Sequence, residues 1–294
     1  MKSSRIQESF GVLEKIVQAA GLSSDRAEPI RLAENDLWRL PGKVVVRIAR
    51  RGQAASATRE LQVTRWLAQH GVPAVRPLDM DQPVTVDGRT ATFWEELPTH
   101  LAGDESNLAP LLRRLHDLPS PPFALEAIAP FVRIADRINS AQSASQEDRT
   151  WLLNRLEELK AAWADLPSGL RRCVIHGDAW GGNTAVTADG VFLMDFERTA
   201  IGPPEWDLTS TAVAADTFGK VSRSAYATFC QAYGHDVMTW AGYPTLRGIR
   251  ELRLTSFALQ TAEDDSSALE QAKYRIACVR GFGGPRPWGW KAVG

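Results

Sequence analysis

Residues 174–197 constrain the fold more than any other part of the chain. Thr184 to Thr187 is a short β-prone run, Val191 to Met194 is a short apolar run, and Ala188-Asp189-Gly190 separates them. Asp-Gly between two short β-prone runs signals a tight hairpin. Asn183 stands just before the first strand and Asp195 just after the second. Antiparallel pairing brings those two ends to about 5 Å across the ladder. An amide oxygen and a carboxylate are hard ligands that suit Mg²⁺, so Asn183 and Asp195 are the candidate metal pair. Asp178 lies five residues before Asn183, on the loop leading in. A loop carboxylate beside a metal pair is a candidate general base.

The full pattern reads His176-Gly177-Asp178, then Asn183, then Asp195-Phe196-Glu197. It resembles a kinase catalytic loop, in which an Asp base is followed by an Asn and, after a hairpin, by a metal-binding Asp. The H-G-D form combined with D-F-E resembles the aminoglycoside phosphotransferase and choline kinase-like family. The other reading of the same residues is a plain hairpin with loop carboxylates.

Composition sets outer bounds. A chain of 294 residues, 44% hydrophobic, can bury an ordinary core in one large domain or two lobes. A net charge of −1 leaves no footprint for nucleic acid or an anionic membrane. Cys173, Cys230 and Cys278 are odd in number and far apart, which argues for reduced thiols and a cytoplasmic setting. No run is apolar for long enough to suggest a membrane span. The N-terminal stretch reads as an amphipathic helix over 5–20, with Ile6, Phe10, Leu13 and Ile16 on one face, and not as a leader peptide. P-loop, dinucleotide-binding, zinc-protease and G-x-S-x-G signatures are absent.

Strands are expected at Ile30–Ala33, Leu37–Leu40 and Lys43–Ala49, with Pro41-Gly42 as a turn. Alternation puts Val45 and Arg47 on one face of the third strand and Val44, Val46 and Ile48 on the other. An inward cation on an apolar strand needs a carboxylate or a phosphate. Ala54 to Gln69 reads as the next helix and carries Glu60. A hairpin follows at Val84–Val86 and Thr90–Leu97. Beyond Pro98 the pattern turns helical: 108–118, 130–139, 147–165, 207–233, 244–260 and 264–279. His116 reads as a structural helix residue and Asp207 as a helix N-cap; the resemblance to kinases implies that Asp207 also braces the catalytic loop. The tail from Gly281 to Trp290 is rich in Gly, Pro and Trp, and its tryptophans fit either packing or substrate stacking.

The resemblance implies an α+β, two-lobed, protein-kinase-like fold. Residues 1–97 would form a nucleotide-binding lobe, a small antiparallel sheet with one helix. Residues 98–294 would form a larger, mainly helical lobe for catalysis and substrate. It implies ATP (or GTP) as co-substrate and Mg²⁺ on Asn183 and Asp195. Asp178 would be the catalytic base. Arg47, braced by Glu60, would neutralise the nucleotide phosphates. Asn35, on the first hairpin loop, would approach the phosphates or be a surface turn residue. Backbone groups from Glu95 to Leu97 would meet the adenine. Glu197 would assist the metal or brace the loop. The reaction would move the γ-phosphoryl group to a hydroxyl of a small molecule, an antibiotic as in a resistance kinase. The alternative acceptor is a primary metabolite such as choline, homoserine or a sugar. A nucleotide-binding pseudokinase and a metal-dependent hydrolase using His176, Asp178 and Asp195 are the rival classes.

Overall fold

A computed structural model describes residues 2–293. The chain divides into two compact units, one made of residues 1–125 with 181–199 and the other of 126–180 with 200–294. The boundary expected after residue 97 falls inside the first unit, because Leu101–Ala102 pairs with the strand Thr184–Thr187.

The first unit is built on a five-stranded antiparallel sheet. Its strands are β1 (Glu28–Leu32), β2 (Asp36–Leu40), β3 (Val44–Ile48), β4 (Val84–Val86) and β5 (Arg89–Glu95), in the order β1-β2-β3-β5-β4. Helix α1 (Lys2–Ala19) covers one face, burying Leu13, Ile16 and Val17 against Trp38, Val46, Ile48 and Phe93. Ile6, expected on the same stripe, is exposed. Helix α2 (Ala54–Gln69) spans the expected residues and packs against β5. The β4–β5 turn has Asp87 at φ 51° and Gly88 at φ 73°. Two left-handed residues in a two-residue loop match the right-handed twist of the flanking strands.

A three-stranded sheet completes this unit: β6 (Leu101–Ala102), β8 (Thr184–Thr187) and β9 (Gly190–Leu193), in the order β6-β8-β9. The β8–β9 hairpin closes at Thr187 opposite Gly190, so its loop has two residues, Ala188 and Asp189. The sequence pattern suggested three. The shorter loop shifts the register by one, and Met194 N–H donates to Asn183 O at 2.9 Å. Asp195 is therefore one step beyond the residue that faces Asn183. Helix α3 (Glu105–His116) begins three residues before the expected Leu108. A capping box sets its start: Asp104 accepts from Ser106 N and Asn107 N, and Asn107 Oδ1 accepts from Asp104 N.

The second unit contains α4 (Ile134–Ser140), α5 (Gln146–Ala164), α6 (Glu205–Asp216), α7 (Arg223–Tyr233), α8 (Tyr243–Asp264) and α9 (Ser267–Val279). Its core joins Leu152, Leu156 and Leu159 of α5 to Leu246, Ile249, Leu252 and Leu259 of α8. The helix expected over 207–233 is two helices. Gly219 at φ +64° ends the first, and the Ser222 hydroxyl caps the second by accepting from Ala225 N. In this unit two short strands escaped the sequence reading: β7 (Cys173–Ile175) and β10 (Ala200–Gly202), paired antiparallel. At three residues each they are too short for periodicity to show. The tail tryptophans Trp288 and Trp290 are buried with Cys278, their rings 5.5 Å apart, which is packing. All three cysteines are free thiols. Among the described residues no helix is long and apolar enough to cross a membrane.

Because Ile16 is fully buried where α1 meets the sheet, Ile16→Ala should lower unfolding free energy by about 2–5 kcal/mol. Urea denaturation followed by tryptophan fluorescence measures this. A loss below about 0.5 kcal/mol would mean that α1 adds nothing to the sheet's stability.

Candidate active site

In the first unit the chemistry collects around one cation. Arg47 lies on β3 between the buried Val46 and Ile48, which point to the α1 face. Its own side chain, only 14% exposed, turns the other way toward α2. There its Nη1 donates to Glu60 at 2.8 and 2.6 Å. Its Nη2 donates to Glu197 Oε1 and lies 3.8 Å from Asp195 Oδ1. Glu60 is buried on α2 and also accepts from Phe196 N at 3.3 Å. Asn35, in the β1–β2 turn, donates to Glu197 Oε1 at 3.0 Å. Arg47, Glu60, Asn35, Asp195 and Glu197 are thus one connected group. Glu197 is its meeting point, a role the sequence left open.

The electrostatics follow from the count of three carboxylates around one guanidinium. Burial pulls the Arg47 guanidinium down, but Glu60, Glu197 and Asp195 outweigh it and hold the group above its ordinary value. Burial pushes the Glu60 carboxyl up to about 7; Arg47 opposes this, while Asp195 and Glu197 push the same way. The group carries more negative charge than one arginine answers, which favours a further cation. Asp195 carries the exposed carboxylate of the set, 47% accessible, and has the left-handed φ of 64°. Aspartate is one of the few non-glycine types that enters that region readily.

Asn183 closes a 3₁₀ turn, Gly181–Asn183, directly before β8. Among the described residues no three His, Cys, Asp and Glu side chains form a metal cage. One carboxylate and one amide at a hairpin end instead match the way Mg²⁺ is held, by few protein ligands with water and phosphate completing the octahedron. The donors present fit that ion.

Of the backbone groups expected to meet a base, two are already engaged. Glu95 N–H donates to Arg76 O at 2.9 Å and Glu96 N–H to Lys43 O at 2.8 Å. Leu97 N–H makes no hydrogen bond among the described residues, so it is the free donor of the segment.

In the second unit, Asp178 lies on the loop after β7. Asp207 fixes that loop from below: its carboxylate accepts from His176 N at 2.7 Å and Gly177 N at 2.9 Å. Trp206 Nε1 donates to Gly177 O at 3.1 Å. Gly177 has φ +83°, a turn that favours glycine and directs the chain to Asp178. Asp207 does not cap its helix, as the sequence suggested. Pro204 holds the N-cap position, and Asp207 sits in the first turn of α6. Its carboxylate instead serves the loop. Arg250 of α8 places Nη1 3.7 Å from Asp178 Oδ1. Sequence reading missed this arginine, since nothing local ties position 250 to position 178.

The fold is that of a kinase-like phosphotransferase. Residues 27–249 match the model of the APH phosphotransferase enzyme family. The chain belongs to that family. Among solved structures it is similar to choline kinase LicA from Streptococcus pneumoniae, with TM-score 0.62 and 17% identity over 91% of this chain and 98% of that one. It is also similar to amicoumacin kinase hAmiN, with TM-score 0.66 and 13% identity over 93% of this chain and 94% of that one. A third relative in structure is the aminoglycoside phosphotransferase APH(3'')-Id from Streptomyces rimosus, with TM-score 0.56 and 20% identity over 83% and 98%. Comparison with curated proteins gives no match. At these identities the structural likeness establishes the protein-kinase-like fold, and the family match establishes a phosphotransferase.

The Asp207 carboxylate is 1% exposed and answers two backbone donors. Asp207→Ala strands both, at about 1–3 kcal/mol each, so stability should fall by about 2–6 kcal/mol. Chemical denaturation measures it, and a variant as stable as the parent would show that water replaces the carboxylate without loss.

Proposed function

We propose that this chain transfers the γ-phosphoryl group of ATP (or GTP) to a hydroxyl of a small molecule. The observation that carries the reading is the Arg47 group: a buried cation braced by Glu60 and engaged with Glu197, beside an exposed Asp195. A guanidinium held rigid from behind presents its remaining face to phosphate oxygens. Glu197 then occupies the position that phosphate takes over. Asn35 and the Leu97 N–H serve the nucleotide at its phosphate and base ends, with Glu95 as the strand end that leads to Leu97.

Asn183 and Asp195 would hold Mg²⁺, which would supply charge neutralisation on the phosphates. Asp178 accepts the hydroxyl proton as the acceptor oxygen bonds to the γ-phosphorus. The bond from that phosphorus to the bridging oxygen breaks, and ADP (or GDP) leaves with the electron pair. Catalysis here is mainly positioning and charge stabilisation. The acceptor is a hydroxylated antibiotic or, in the second reading, a metabolite such as choline, homoserine or a sugar. Filled positions at Asp178, Asn183 and Asp195 favour an active enzyme over a pseudokinase. Three free thiols fit a reducing cytoplasm.

Asp178→Asn keeps the shape and removes the base. Its kcat should fall by about two orders of magnitude or more, with nucleotide affinity nearly unchanged. Coupled detection of ADP and a fluorescent-nucleotide titration separate the two quantities, and near-normal turnover would remove Asp178 from the mechanism.

Asp195→Ala should abolish Mg²⁺-dependent nucleotide binding, and EDTA should do the same to the parent protein. Calorimetric titration of ATP with and without Mg²⁺ checks both. Equal affinity in all four conditions would rule out the metal pair.

A further inference from the structure

Helix α8 carries Arg247, Arg250 and Arg253 three residues apart, on one helical face. Their partners differ. Arg247 donates to Asp216 Oδ2 at 2.7 Å and lies over the Tyr243 ring. Arg253 donates to Pro130 O at 2.8 Å and lies over the Trp206 ring. Arg250 has one ionic neighbour among the described residues, Asp178, at 3.7 Å. That distance is too long for a hydrogen bond. A guanidinium that served to clamp Asp178 would close to about 2.7–2.9 Å in a fork. Both side chains remain partly open, at 21% and 29%. A positive fork with unengaged donors therefore stands next to the proposed base.

We propose that Arg250 binds a carboxylate of the acceptor, so that the substrate is a small hydroxy acid. This rests on the reading of Asp178 as the base of a phosphoryl transfer. A hydroxyl held by Asp178 and a carboxylate held by Arg250, each at about 2.8 Å, would sit roughly 3–6 Å apart. Two to four carbons span that gap. The same guanidinium repels an ammonium group brought to the base, which disfavours polyamine antibiotics and choline as acceptors. In the reaction the substrate hydroxyl oxygen gains the phosphoryl group, its proton passes to Asp178, and the carboxylate stays unchanged on Arg250.

The test uses the full chain with Mg²⁺ and ATP. The acceptors are glycolate, lactate, glycerate, 3-hydroxybutyrate, serine and homoserine, each beside its primary amide, with choline and kanamycin as cationic acceptors. Phosphoester formation is read by phosphorus NMR, and Mg·ATP binding is measured separately. At least one acid should be phosphorylated with kcat/KM ten-fold or more above its amide. Arg250→Gln should shrink that acid-to-amide ratio ten-fold or more, chiefly through KM, and Arg250→Lys should restore part of it. Several results overturn the inference and leave the kinase reading standing: amides used as well as acids, choline or kanamycin preferred, or Mg·ATP bound with no acid phosphorylated. An Arg250→Gln loss in kcat that is equal for acid and amide also overturns it, and would make Arg250 a positioning residue for Asp178. Failure to bind Mg·ATP defeats the kinase reading itself.

Discussion

A buried guanidinium cannot be left unanswered, and in the first unit that constraint ties separate elements together. Arg47 sits on a strand whose neighbours Val46 and Ile48 belong to an apolar core. An uncompensated charge there would cost several kcal/mol. Glu60 on α2 answers it from one side, and Glu197, after β9, from another. The sheet, the helix and the hairpin exit are thereby fixed by one ion-pair group. That group leaves a surplus of negative charge beside Asp195, and a site with such a surplus suits a cation and the phosphates it accompanies. In the proposed function, the structural brace and the phosphate-binding chemistry are the same interaction.

The second unit solves a different problem, which is holding a loop residue still without burying it. Asp207 does this by accepting two consecutive backbone N–H groups, and Trp206 adds a third contact to the same loop. The side chain of Asp178 is left partly open beyond them. The charge next to it is positive, in the form of Arg250. In the proposed mechanism the base would therefore work in a field set by an arginine, which bears on the choice of acceptor as much as on proton transfer.

Much of this was legible locally. The span of α2, the alternation that turns Arg47 away from the α1 core and the β8–β9 hairpin all follow from period and turn chemistry over fewer than about 20 residues. The H-G-D, Asn and D-F-E spacing identified the family. Misreadings occurred where a small geometric choice outweighed the pattern. A two-residue loop instead of three moved Asn183 opposite Met194. Gly219 and Ser222 cut one helix into two. Strands β7 and β10 exist because they pair with each other, and three residues of sequence carry no period.

The sequence alone determined most of the longer elements and the residue types available for chemistry, since both depend on neighbours close along the chain. Only the tertiary structure decided which distant groups meet: Glu197 with Arg47 and Asn35, Asp207 with the loop before Asp178, and Arg250 with Asp178. Such contacts join residues far apart in sequence. Their geometry is set by how helices and strands pack, by a helix's rotation about its own axis and by a hairpin's register. No local pattern encodes those quantities, because they are fixed by the balance of burial and charge over the whole unit.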